Sequence, residues 1–158
     1  MDRVAERLLD DYRRAGLRLA TAESCTGGLV AACLTEIAGA SRVVERGFVT
    51  YSNESKTELL GVPADLLRRH GAVSPETAGA MAEGALARSR ADVAVAVTGI
   101  AGPGGATPSK PVGLVFLAAA RKDAATTVER HVFAGDRRAV RLAAVAAALA
   151  LLGRRLAG

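Results

Sequence analysis

Asp92 to Val97 reads Asp-Val-Ala-Val-Ala-Val, an almost unbroken apolar strand with no polar face. Such a strand must be covered by other elements on both sides. It commits the chain to layers above and below a sheet, and helical segments elsewhere are available to form them. The strand ends in a glycine-rich loop, Thr98-Gly99-Ile100-Ala101-Gly102-Pro103-Gly104-Gly105. Open α/β sheets gather ligands at the carboxyl ends of their strands. The loop does not match the G-x-x-x-x-G-K-[ST] phosphate pattern, so its glycines alone specify no ligand.

A second loop of this kind lies near the start of the chain. Leu17 to Ala20 alternates apolar and polar residues like a short strand. Thr21-Ala22-Glu23-Ser24-Cys25-Thr26-Gly27-Gly28 follows, and then Leu29, Val30, Cys33, Leu34 and Ile37 recur with helical spacing. The helix is expected from Gly27 to about Ile37. Ser24, Cys25 and Thr26 thus sit where a strand hands over to a helix, beside free N–H groups and the positive end of a dipole. Two readings fit: a helix cap by Ser24 or Thr26, or an active-site turn that presents a nucleophile.

Val43 to Tyr51 is rich in β-formers and predicts a strand, followed by a helix from Glu54 to Leu60 with Asn53 as its N-cap. Lys56 then falls in the first turn, at the unfavourable end of the dipole. It is either a solvated lysine paired with Glu54 or Glu58, or an amine whose neutral form is favoured, as a general base requires. The last helix opens at Gly135-Asp136 and runs to about Leu152, with Arg137 and Arg138 in its first turn and Arg141 one turn on. These arginines form either a solvated face or a clamp for phosphate or carboxylate.

The remaining segments complete the alternation. Met1 to Ala15 predicts a helix with Val4, Leu8, Leu9 and Tyr12 on one face, ended by Gly16. A short helix runs from Gly61-Val62-Pro63 to about His70. Ser74 and Pro75 start a longer one to about Arg90, with Ser74 as its cap. Val112 to Ala119 and Thr126 to Phe133 are strands joined tightly at Arg121 to Ala124, and so are antiparallel. The expected fold is α/β: one domain over residues 1–158, a three-layer α/β/α sandwich around a mixed, mostly parallel five-stranded sheet.

Cys25 and Cys33 lack metal-ligand spacing, and no His-rich or Cys-rich cluster exists, so no metal site and no cofactor are expected. The first residues are charged rather than signal-like, and the apolar run Leu142 to Leu152 is well short of the ~20 residues that span a bilayer. A cytoplasmic protein without a membrane partner is expected. The net charge of +5 invites a nucleic-acid reading. The arginines are scattered, however, and no stacking set or helix-turn-helix accompanies them, so nucleic acid is not the expected partner. The Ala-rich helices suggest pairing between subunits as a homo-oligomer.

Thr21 to Gly28, Tyr51-Ser-Asn-Glu-Ser-Lys56, Gly71-Ala-Val-Ser74, Thr98 to Gly105, Lys110-Pro-Val-Gly113 and Phe133-Ala-Gly-Asp-Arg137 together resemble the CinA C-terminal family. Stand-alone members of that family are PncC-type nicotinamide-nucleotide amidases; larger members carry a further N-terminal domain, for which this chain has no room. The resemblance implies hydrolysis of the carboxamide of nicotinamide mononucleotide to nicotinic acid mononucleotide and ammonia. It implies a serine nucleophile with a lysine, here Ser24 and Lys56, with Tyr51 and Thr98 beside them as relays or orienting groups. Thr26, Gly27, Gly28, Asn53, Gly99, Gly102, Arg137 and Arg141 are the expected substrate-binding positions. Cys25 is the rival nucleophile. A non-catalytic nucleotide-binding module and a DNA-associated protein are the competing functions.

Overall fold

The computed structural model describes residues 1–157. Five strands form one sheet in the order β2-β1-β3-β4-β5. They are β1 (Leu19–Glu23), β2 (Val44–Val49), β3 (Val93–Gly99), β4 (Leu114–Arg121) and β5 (Thr127–Val132). β1 is parallel to both β2 and β3, whereas β4 runs antiparallel to β3 and to β5. Four strands therefore point one way, and only β4 opposes them.

Six helices cover the sheet: α1 (Asp2–Ala15), α2 (Leu29–Thr35), α3 (Asn53–Leu60), α4 (Ala64–His70), α5 (Pro75–Ala87) and α6 (Arg137–Leu156). β3 shows why both faces close. Val93, Val95 and Val97 point into one core with α1, α2 and α6, whereas Ala94 and Ala96 point into the other with α5. Period-2 alternation sorts large from small side chains. The alanine face lets α5 lie close, with its own Ala78, Ala82 and Ala85 against the sheet.

Two expectations about the helices need correction. Val4 is half exposed, and Ala5 takes the buried position beside Leu8, Leu9 and Tyr12. The cap of α3 is Ser52, whose Oγ accepts from the Ser55 N–H at 3.1 Å, and Asn53 is the first helical residue. Serine and asparagine cap about equally well, so their order in the chain does not decide between them. Ser74 caps α5 as expected, accepting from the Thr77 N–H at 3.1 Å.

Gly84 fixes how closely α5 meets α3. A Cβ there would fall inside the van der Waals envelope of the Leu60 carbonyl oxygen. Gly84→Ala gains about 1 kcal/mol of helix propensity but collides with backbone that cannot rotate away. The expected net cost is about 1–3 kcal/mol. Thermal denaturation reads it as a fall in Tm of about 2–4 °C per kcal/mol. An unchanged or higher Tm would show that the α3–α5 contact is loose.

Candidate active site

The carboxyl ends of β1, β2 and β3 lie side by side, because these strands are parallel neighbours. The Ser24 turn, the Tyr51 segment and the glycine-rich loop therefore converge. They enclose a cleft of about 250 Å³ lined by Ser24, Tyr51, Lys56, Thr98 and Arg137, with Gly99 and Gly102 in its glycine wall.

Lys56 is fully buried, an unusual place for a lysine. Its Nζ lies 3.1 Å from Ser24 Oγ, 2.8 Å from the Thr50 carbonyl oxygen and 3.2 Å from the Tyr51 carbonyl oxygen. Neither Glu54 nor Glu58 pairs with it, so the solvated-lysine alternative is excluded by its burial. That burial pushes the Lys56 pKa below the ordinary lysine value. A neutral amine has two N–H donors and one lone pair. Two carbonyls and one hydroxyl satisfy either form: a charged ammonium donates to all three, whereas the neutral amine donates to the carbonyls and accepts from the Ser24 hydroxyl.

Cys25 is buried beside this pair, and burial pushes its thiol up to about 11. It is held as an unreactive thiol at neutral pH. Neither histidine lines the cleft: His70 faces Glu76 on the surface, and His131 pairs with Glu129 and stacks on Phe133.

Thr98 Oγ1 donates to the Ala72 carbonyl at 2.7 Å, so its proton is committed to holding the 71–74 segment against β3. Tyr51 is 61% exposed; its hydroxyl accepts from Arg137 at 3.0 Å. A second nitrogen of Arg137 donates to the Gly102 carbonyl at 2.8 Å. Gly102 has φ +82°, and a Cβ there would come within 2.6 Å of Val112 Cγ1, so only glycine closes this wall.

The Ser24 turn is held from two sides. Glu23 is fully buried, and its carboxylate oxygens accept from the Val30 and Ala31 N–H groups at 2.8 and 3.0 Å. The turn was expected to present free N–H groups at the start of α2. Glu23 occupies them instead, and neither Ser24 nor Thr26 caps the helix, whose N-cap is Gly28. From the other side Arg141 donates to the Cys25 and Thr26 carbonyls at 3.1 and 3.2 Å. Arg141 therefore binds the turn's own backbone.

Thr26, Gly27, Gly28 and Asn53 do not line the Ser24 cleft. Thr26 is buried with an unpartnered hydroxyl, and Asn53 faces a separate groove between α3 and α4. Glu23 is the positioning residue that the sequence did not single out. Glu23→Ala strands two N–H groups beside the core. The expected cost is about 1–3 kcal/mol for each unsatisfied group, with Glu23→Gln in between. Chemical denaturation checks this, and equal stability of all three proteins would contradict it.

Against the Ser24 cleft lies a second cleft of about 690 Å³, which shares Ala101 and Arg137 with it. Arg138 and Arg141 also line it.

Residues 1–156 match the family model described as the CinA C-terminal domain. The chain belongs to the CinA C-terminal domain family. A CinA-like protein of Mycolicibacterium vanbaalenii is 52% identical over 157 residues, covering 99% of this chain and 36% of that protein. A CinA-like protein of Akkermansia muciniphila is 58% identical over 125 residues, covering 79% of this chain and 30% of that protein. The chain thus spans about a third of the length of the curated relatives it matches. Among solved structures, the competence/damage inducible protein CihA from Agrobacterium tumefaciens superposes with a TM-score of 0.96 at 51% identity. That match covers 99% of this chain and 95% of the other. A competence damage-inducible protein from Klebsiella pneumoniae gives 0.95 at 40% identity, covering 99% and 96%. The CinA fold accordingly carries the Ser24–Lys56 cleft at the strand ends. Among the described residues, no helix is long and apolar enough to cross a membrane, and no three His, Cys, Asp or Glu side chains gather as a metal site.

Proposed function

We propose that this chain is an amidohydrolase that converts nicotinamide mononucleotide to nicotinic acid mononucleotide and ammonia, with Ser24 as nucleophile and Lys56 as general base. The observation that carries the reading is the buried Lys56 Nζ, 3.1 Å from Ser24 Oγ and with two carbonyls taking its other donors. Serine with lysine is a known variant of the serine–histidine pair.

The chemistry follows from the difficulty of the reaction. An amide carbonyl is a poor electrophile and a serine hydroxyl a weak nucleophile, so a base, oxyanion donors and an acid for the leaving amine are all needed. Ser24 Oγ attacks the carboxamide carbon as its proton passes to Lys56 Nζ. The resulting ammonium returns that proton to the nitrogen of the tetrahedral intermediate. The C–N bond then breaks, ammonia leaves and an ester on Ser24 remains. Water attacks the ester while Lys56 takes a proton from it. Breaking the C–O bond to Ser24 then releases the carboxylate, and the proton returns to Ser24. Backbone N–H groups of the glycine-rich loop supply the oxyanion donors; among the described residues no backbone hydrogen bond uses those of Gly102, Gly104 or Gly105.

The phosphate of the substrate goes to the second cleft, where Arg137 and Arg138 offer guanidinium donors. This is a small-molecule site that needs neither metal nor cofactor. The test is ammonia release from nicotinamide mononucleotide by the purified chain. Release that scales with enzyme supports the amidase. Binding without release identifies a nucleotide-binding module instead. Strongly salt-dependent DNA binding through the Arg137–Arg141 face would identify a DNA-associated protein.

A further inference from the structure

The first turns of α6 touch both halves of the Ser24–Lys56 pair. Arg141 donates through Nε and Nη2 to the Cys25 and Thr26 carbonyls, the two residues that follow Ser24. Arg137 donates to the Tyr51 hydroxyl, and the Tyr51 carbonyl accepts from Lys56 Nζ at 3.2 Å. Arg137 and Arg141 also line the 690 Å³ cleft. Each uses two of its five N–H donors on the protein. Arg138 lines the same cleft, and its side chain makes no hydrogen bond within the described residues. The one carboxylate in the cleft, Asp136, is occupied as the α6 cap, accepting from the Ala139 N–H at 2.9 Å.

Three arginines and one carboxylate line this cavity, so its lining carries an excess of positive charge that an anion balances. Arg137 and Arg141 already hold their protein contacts, and an anion engaging their remaining donors restricts them further. Their other ends fix the Ser24 turn and the Tyr51 segment. We propose that a phosphomonoester dianion in the arginine cleft stiffens the Ser24–Lys56 geometry through Arg141 and Arg137, so that the phosphate of the substrate raises the chemical rate as well as the affinity. Arg141 is a positioning residue in this scheme, acting on Ser24 through the turn's carbonyls. Such remote binding energy spent on orientation appears in kcat. Misplacement of a reacting group by about 1 Å costs up to about 10²-fold.

The inference rests on the amidase reading for its substrate, but part of its test does not. The first measurement is the rate at which a small fluorophosphonate labels Ser24, followed by intact mass with and without inorganic phosphate. The expected result is about tenfold faster labelling with phosphate. Arg141→Lys, which keeps the charge but loses the fork on two carbonyls, should show little or no acceleration. Labelling that is unchanged or slowed by phosphate overturns the coupling, whatever the chain hydrolyses. The second measurement compares nicotinamide mononucleotide with nicotinamide riboside at saturation. A lower kcat for the riboside, raised by added phosphate in the native chain but not in Arg141→Lys, supports the proposal. Equal kcat values, with the whole difference in KM, overturn it and leave the amidase reading intact.

Discussion

Ser24→Ala is expected to release no measurable ammonia from nicotinamide mononucleotide, while the nucleotide still binds. Loss of the nucleophile is expected to cost on the order of 10⁴-fold or more in turnover. No neighbour replaces it. Cys25 is the adjacent residue, but its thiol is buried and pushed up to about 11, so almost none is ionised at neutral pH. The variant keeps the fold, because the Ser24 turn is held by Glu23 and Arg141 and not by the hydroxyl. Calorimetric binding beside an ammonia assay checks both halves. Near-native turnover would remove Ser24 from the chemistry. Lost binding with residual turnover would make it a ligand contact.

Lys56→Met is the second large effect. Methionine fills a similar volume and cannot accept a proton. General-base loss is expected to lower kcat by about 10²–10⁴-fold. The pH dependence carries more information. Burial lowers the Lys56 pKa in the folded chain, so the neutral, competent form accumulates as pH rises through that lowered value. In the native chain kcat/KM falls about tenfold per pH unit on the acid side of it, and the limb lies below the ordinary lysine value of about 10.4. Stability moves in the same sense. Between the lowered folded value and the ordinary unfolded one, the unfolded chain binds more protons, so stability increases with pH. Lys56→Met lacks this contribution, and its stability curve is flatter over the same window. A native acid limb that persists in the residual activity of Lys56→Met would assign it to another group.

The layers of the fold were legible because burial leaves a periodic trace. The Val/Ala alternation of β3 faces two different cores, and the tight join at Arg121–Ala124 turns β5 back against β4. Cap chemistry located α5, where Ser74 stands alone before the helix. It missed by one residue at α3, where Ser52 and Asn53 are both good caps. Val4 follows the helical period but lies at the exposed rim of the α1 stripe, in a surface groove beside Leu149 and Gly153 of α6.

The candidate site was legible as a set of residue types and not as contacts. Ser24 and Lys56 meet because β1 and β2 are parallel neighbours, a fact of sheet order that no local pattern encodes. The misplacement of Lys56 near a helix start was the one local sign of a special environment. Arg141 gave the same sign, but its partners are the turn's carbonyls. Glu23 gave none. Its seven-residue reach to Val30 closes a loop back onto the chain, whereas capping patterns look only three residues ahead. The Val30 and Ala31 N–H groups at the start of α2 are thereby taken.

The most direct measurement is the titration of the Lys56 side chain itself, followed by NMR of the Nζ or adjacent carbon in selectively labelled, ligand-free protein. The Ser24–Lys56 account predicts a midpoint clearly below the ordinary lysine value of about 10.4, coincident with the acid limb of kcat/KM. A midpoint at or above that value would mean a permanently charged amine beside Ser24, which cannot take its proton.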